Sequence, residues 1–171
     1  LPTDTPAATA TPVLGTATPT PVVAAPPAPA GITGTPIATA AAAVGPAGAI
    51  ISAGTGEFVG FQAGTFGADT NVSLTIYGQD SLPAAPDGHV ALSHGIELQP
   101  SGITFTPPAV ITFSYTDAEL AGADPSTLGI WVYVGGAWQF LGGTVDAATH
   151  TVTISVSHFT LYMLMGEARG A

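Results

Sequence analysis

The chain of 171 residues contains no cysteine and no lysine, and Arg169 is its one basic residue. Without cysteine, neither a disulfide framework nor a thiolate metal site is available, so compactness rests on packing alone. A surface without cations cannot neutralise phosphates, which argues against nucleic acid and anionic membrane as partners. Eleven acids bring the formal net charge to −10, yet only 7% of residues are charged. The surface must therefore be mostly Thr, Ser, Gly, Gln and Ala, a neutral hydroxyl-rich composition that points outside the cell. Long apolar runs are missing as well. The most apolar stretch, 37–51, is Ala-rich and interrupted by Gly45-Pro46, too weak and too short for a membrane span. Leu1-Pro2-Thr3-Asp4 has neither the basic flank nor the apolar centre of a signal peptide, so the chain reads as already processed.

What is present divides into two parts. Residues 1–47 are rich in Thr, Pro and Ala, with Thr5-Pro6, Thr11-Pro12, Thr18-Pro19-Thr20-Pro21, Pro26-Pro27-Ala28-Pro29 and Thr35-Pro36. Proline fixes φ and removes the N–H, so such a segment prefers extended polyproline II and cannot join the interior of a sheet. Some 36 residues in that form would reach roughly 110 Å. Thr18 and Thr20 are candidates for O-glycosylation, and Asn71-Val72-Ser73 supplies an N-glycosylation triplet at Asn71. The proline-free run Ile37-Ala38-Thr39-Ala40-Ala41-Ala42-Ala43-Val44 keeps its N–H groups. Its residues Ile37, Thr39, Ala41, Ala43 and Val44 are therefore candidates for a donor strand along a neighbouring subunit's open edge. A helical turn or a plain linker is the alternative.

Residues 48–171 consist of short alternating stretches separated by turn residues. Strands are predicted at 49–53, 57–62, 71–77, 90–98, 103–105, 110–115, 130–134, 138–141 and 152–156, with a last central strand over 155–165. Pro107-Pro108 is expected to separate two of them. Short strands with turn signals every eight to twelve residues predict an all-β fold, a two-sheet antiparallel Ig-like sandwich.

Several of these residues also form a recognisable set. Ala63-Gly64-Thr65-Phe66 with Asp69-Thr70, Ser101-Gly102-Ile103-Thr104-Phe105 with Pro107-Pro108, Phe113-Ser114-Tyr115-Thr116-Asp117, Trp131, Trp138, Val145-Asp146 and His158-Phe159-Thr160-Leu161-Tyr162 lie in order along residues 48–166. Together they resemble the β-sandwich modules of bacterial surface proteins related to ZU5-type domains. That resemblance implies a sandwich on an exported prokaryotic protein. It also implies, through eukaryotic relatives, self-cleavage at a His-Phe-Ser sequence, here with Thr160 in the serine's place.

Candidate chemistry follows from particular residues. Cleavage between Phe159 and Thr160 would require a strained peptide, Thr160 Oγ as nucleophile and His158 as base; a regular strand with Phe159 packed inward is the alternative. Asp117, Glu119 and Asp124 share one acidic loop and are candidate calcium ligands without an EF-hand spacing. Helix capping by Asp124, with the other two solvated, is the alternative. His89, His94, His150 and His158 have no zinc-like spacing. Trp131, Tyr133, Trp138 and Phe140 would make a glycan platform if exposed, although Trp131 and Tyr133 share one strand face and are expected in the core. No cofactor, nucleic acid or membrane span is expected. The sequence predicts an extracellular structural protein, a homopolymeric filament subunit assembled through its N-terminal arm. The alternatives are a monomeric stalked display or adhesion module with glycan as a candidate ligand, and a self-processing domain.

Overall fold

The computed structural model describes residues 32–100 and 103–170; Thr18, Thr20 and the rest of 1–31 lie outside them. Eleven strands form two antiparallel sheets packed face to face, the all-β sandwich expected from the alternation. In chain order they are β1 (Ala38–Val44), β2 (Ala49–Ser52), β3 (Phe58–Phe61), β4 (Thr70–Tyr77), β5 (His89–Gln99), β6 (Thr104–Ser114), β7 (Gly129–Val134), β8 (Ala137–Gly142), β9 (Thr144–Asp146), β10 (Thr151–His158) and β11 (Leu161–Glu167). One helical turn, α1 (Asp117–Leu120), and two 3₁₀ turns at Gln79–Ser81 and Pro125–Thr127 complete the described chain. The first sheet runs β1-β4-β5-β11-β7-β8 and the second β2-β3-β6-β10-β9.

The inner faces meet in one core. Leu74, Ile76, Leu92, Ile96, Leu98, Ile130, Tyr162 and Leu164 of the first sheet face Val59, Ile111, Phe113 and Val152 of the second. One end is filled by Phe61, Phe66, Phe105 and Phe159, whose ring centroids lie 4.9–6.4 Å apart. Two of the crossings between sheets need unusual backbone. Between β1 and β2, Gly48 takes φ +78° and a Cβ there would collide with the Phe61 carbonyl oxygen. Between β8 and β9, Gly143 takes φ +125° with its Cβ direction blocked 2.9 Å away by the Thr153 carbonyl oxygen.

Three expectations need correction. The segment 38–44 is part of the sandwich, paired in unbroken register with β4 of the same chain from Ala38 opposite Ile76 to Val44 opposite Thr70. Ala38, Ala40 and Ala42 turn inward against the core, so the folded unit begins before residue 48. Pro107 and Pro108 do not divide two strands, because β6 runs straight through them. The pairing of β6 with β3 ends at Val110 and its pairing with β10 shifts register at this point, so no ladder needs the missing N–H groups. Their carbonyl oxygens accept from the Thr65 hydroxyl (3.2 Å) and the Gln62 amide (3.3 Å). Nor is 155–165 one strand: β10 ends at His158 in one sheet and β11 starts at Leu161 in the other. Even-numbered residues face the core on both sides, Val152 and Val156 before the crossing and Tyr162 and Leu164 after it, but they do so from different sheets.

Candidate functional site

The crossing itself carries His158-Phe159-Thr160. Phe159 is 2% exposed inside the phenylalanine cluster, and the Thr160 hydroxyl donates to the Tyr133 carbonyl oxygen at 3.2 Å. His158 is exposed, while its carbonyl oxygen accepts from the buried Tyr162 hydroxyl at 2.7 Å. Burial pushes the Tyr162 phenol far above its usual pKa, so it stays a donor. All three residues thus help carry the chain from sheet to sheet.

The acidic loop is used in capping. Thr116 and Glu119 form a capping box around α1, with Glu119 Oε2 accepting from the Thr116 N–H at 2.8 Å. Asp124 accepts from the Ser126 hydroxyl (2.7 Å) and N–H (2.9 Å), which hold its carboxyl below the usual carboxylate range. Asp117 pairs with His150 at 2.9 Å. Among the described residues no group of three or more His, Asp or Glu side chains is placed to hold a metal ion.

Trp131 and Tyr133 do share one strand face, but it is the outer face of the first sheet, not the core. There they join Tyr77, Leu161, Met163, Met165 and Trp138 in a second apolar cluster, partly roofed by the segment around Leu82. Leu82 lies so close over Gly95 that a Cβ there would overlap it, and the Trp138 indole donates to the Pro83 carbonyl oxygen at 3.3 Å. Phe140 remains 57% exposed, edge-on to Trp131 at 5.3 Å, with His89 on the other side of Trp131 at 4.9 Å. The Trp131 indole N–H is buried without a partner among the described residues. Asn71 is exposed on β4 of the same sheet. Further along, the buried Glu97 is hydrogen-bonded by Gln99 and by the Tyr77 hydroxyl; burial raises its pKa despite those two bonds. The Tyr77 phenol is raised too, chiefly by burial and then by the Glu97 charge.

One constellation was not anticipated. Glu57 is wholly buried, and its carboxylate accepts from three side chains: Thr55 Oγ (2.6 Å), Ser93 Oγ, and His94 Nδ1 (2.9 Å). Local structure explains the convergence. The turn Gly54-Thr55-Gly56 returns the chain so that Glu57 enters the sandwich just ahead of β3. On β5, two extra residues sit between Leu92 and Gly95, which face the consecutive Leu164 and Met163. That bulge puts Ser93 at φ +62° and aims Ser93 and His94 at Glu57. Ser93 is satisfied at every polar atom, since its N–H donates to Glu119 Oε1 (3.0 Å) and its carbonyl oxygen accepts from Gln79 (2.9 Å). A Ser, a His and a Glu together suggest nucleophilic catalysis, but the wiring is different. A serine nucleophile needs its proton taken by a histidine that the carboxylate orients from the far side of the ring. Here the carboxylate sits between the two, and Ser93 is 5% exposed, which leaves a substrate no approach. The cluster ties the β2–β3 turn, β5 and α1 together. The sequence signal for it was a lone acid flanking an apolar strand, with a Ser-His pair interrupting the alternation of another.

No family model matches the chain. A stretch of 98 residues is 29% identical to the amylopullulanase of Thermoanaerobacterium thermosulfurigenes, covering 54% of this chain and 5% of that protein. The chain thus spans about one twentieth of the length of this relative. Among the described residues no helix is long and apolar enough to cross a membrane.

Proposed function

We propose that this domain is a non-catalytic β-sandwich module of an exported protein, a rigid unit that spaces or displays its neighbours in the chain outside the cell. The observation that carries this reading is the use made of the reactive side chains. Ser93, His94, Glu57, Glu119 and Thr160 are all engaged in joining one element to another, and the buried ones have no substrate path. The likeness to a small part of a much longer amylopullulanase supports the same view, because a segment of that size suits an accessory unit. The near absence of cations and the Thr/Pro-rich residues 1–36 fit an extracellular setting. The test is to express the full chain and assay it on amylose and pullulan. A folded protein that leaves both intact is expected; turnover of either would refute the module reading. Retardation in gels containing either polysaccharide, lost in Phe140→Ala, would make the module a glycan binder.

A second reading, the filament subunit built by strand donation, is favoured by one observation. β1 is held by a single ladder, and its inward side chains are alanines apart from Val44, so little apolar burial opposes its transfer to a neighbouring copy. Thr39 faces Thr75 across that ladder, so a Thr39→Cys, Thr75→Cys variant would trap the arrangement in a disulfide. Covalent chains of subunits would support exchange, whereas cross-linking within each monomer would sink it.

A further inference from the structure

We propose that the free edge of β1 is a self-pairing surface, on which a second copy lays its own β1 antiparallel and extends the six-stranded sheet across both molecules. The described sandwich has four edge strands, β1, β8, β2 and β9. An edge is a template for another strand unless shortness, charge, a bulge or bulky cover blunts it. β2 and β9 have four and three residues. β8 carries a register shift, bulky Trp138 and Phe140, and ends in Gly142 at φ +101°. β1 has none of these protections: seven residues, no charge, no proline, no bulge and nothing larger than Val44.

The occupant follows from the sequence around Ala41. Proline stands five residues away on each side, at Pro36 and Pro46, and bounds the segment that can pair. A two-fold axis through Ala41 sets Pro36 opposite the other copy's Pro46, Ile37 opposite Gly45 and Ala38 opposite Val44. Every pair then combines a small residue with a small or single branched one, and both pairing limits coincide. Neutrality selects the same partner. The acid nearest along the chain, Glu57, is buried, as is Glu97, the one acid on β5; Asp69 and Asp80 flank β4, and the Asp69 carboxylate lies against Gly45, just beyond the end of β1. A strand offering cations would find a carboxylate only at that one end and none along the seven residues of β1, whereas an identical neutral strand meets no repulsion there, the two-fold setting the two Asp69 side chains at opposite ends. This contact leaves β1 seated on β4, so it differs from strand exchange and does not depend on the module reading.

The experiment uses the full chain. Sedimentation velocity over a concentration series is expected to show a monomer–dimer equilibrium. Ala41 is exposed, so Ala41→Lys and Ala41→Glu should each fold and lose the dimer, because like charges face each other on the axis; mixing the two should restore it. Since the chain has no cysteine, oxidised Ala41→Cys should form a covalent dimer, as opposed residues lie within disulfide reach. Ser155→Cys, exposed on the other sheet, is the control. A wild type that stays monomeric with Ala41→Cys cross-linking no faster than the control overturns the proposal. So does a dimer indifferent to charge at residue 41, which would lie on another surface, and so does a dimer abolished by the disulfide between residues 39 and 75, which would be strand exchange.

Discussion

Replacing Glu57 by alanine probes how the two sheets are held. The change leaves three donors without their acceptor, but not equally. The His94 side chain is 33% exposed and can turn to water, whereas the Ser93 hydroxyl sits on a residue 5% exposed and cannot. Stranding that donor costs about 1–3 kcal/mol, and the lost methylene about 0.8 kcal/mol more. Relief from burying a carboxylate offsets part of this, while removing one member of a buried polar set usually costs about 3–5 kcal/mol. We expect a loss near 3 kcal/mol, a substantial part of the roughly 5–15 kcal/mol by which domains are stable. In urea, with a slope of about 2 kcal/mol/M, the midpoint should fall by about 1.5 M. Glu57→Gln keeps the volume and one acceptor but turns an amide donor toward other donors, and should fall between the two. Paired with Ser93→Gly, Glu57→Ala should show a coupling energy of about 1 kcal/mol. A midpoint within about 0.3 M of wild type on the same slope, or strictly additive losses, would mean that the cluster does not join the sheets.

Other outcomes follow from the same structure. Phe159→Ala should cost about 3–5 kcal/mol in thermal or urea unfolding and Phe159→Leu distinctly less, since the ring closes one end of the core; equal losses would count against the cluster. Glu97 has a raised pKa in the folded state, so native protein binds the extra proton, and stability should fall as pH rises from the ordinary carboxylate pKa through the raised one. Glu97→Gln should remove that slope and be more stable than wild type at neutral pH, as read by melting temperature across pH. Gly48→Ala should destabilise by more than about 1 kcal/mol, because φ is positive and the Phe61 carbonyl blocks the Cβ. An intact mass of the folded chain is expected to show no break between Phe159 and Thr160, with the Thr160 hydroxyl bonded to Tyr133; fragments would restore the self-processing reading.

Much of the architecture was legible because it depends on local chemistry. Val72, Leu74 and Ile76 alternate with Ser73 and Thr75, and that period places them on opposite faces whatever the partner strand. Gly135-Gly136 between two apolar runs specifies a hairpin, and β7 and β8 form it. The candidate site was not legible in the same way. Glu57, Ser93, His94 and Glu119 come from three separate regions, and only the β5 bulge brings them together. A bulge adds residues relative to a partner strand, so it is defined by pairing and cannot be read from one strand alone.

The same distinction explains the misread segments. Residues 155–165 alternate throughout, yet the chain leaves one sheet at His158 and enters the other at Leu161. Both faces of such a stretch are apolar whether it is one central strand or two strands buried in different sheets. Likewise Trp131 and Tyr133 were correctly put on one face, but which face meets the other sheet depends on where β11 and the Leu82 segment lie. By itself the sequence determined most of the strands and hairpin turns, the scarcity of charge and the absence of disulfides, all set by neighbouring residues and composition. Tertiary structure alone decided which sheet each strand joined, that residues 38–44 pair within their own chain, and that the buried acid has three donors. Those depend on contacts between residues far apart in sequence, which no local pattern encodes.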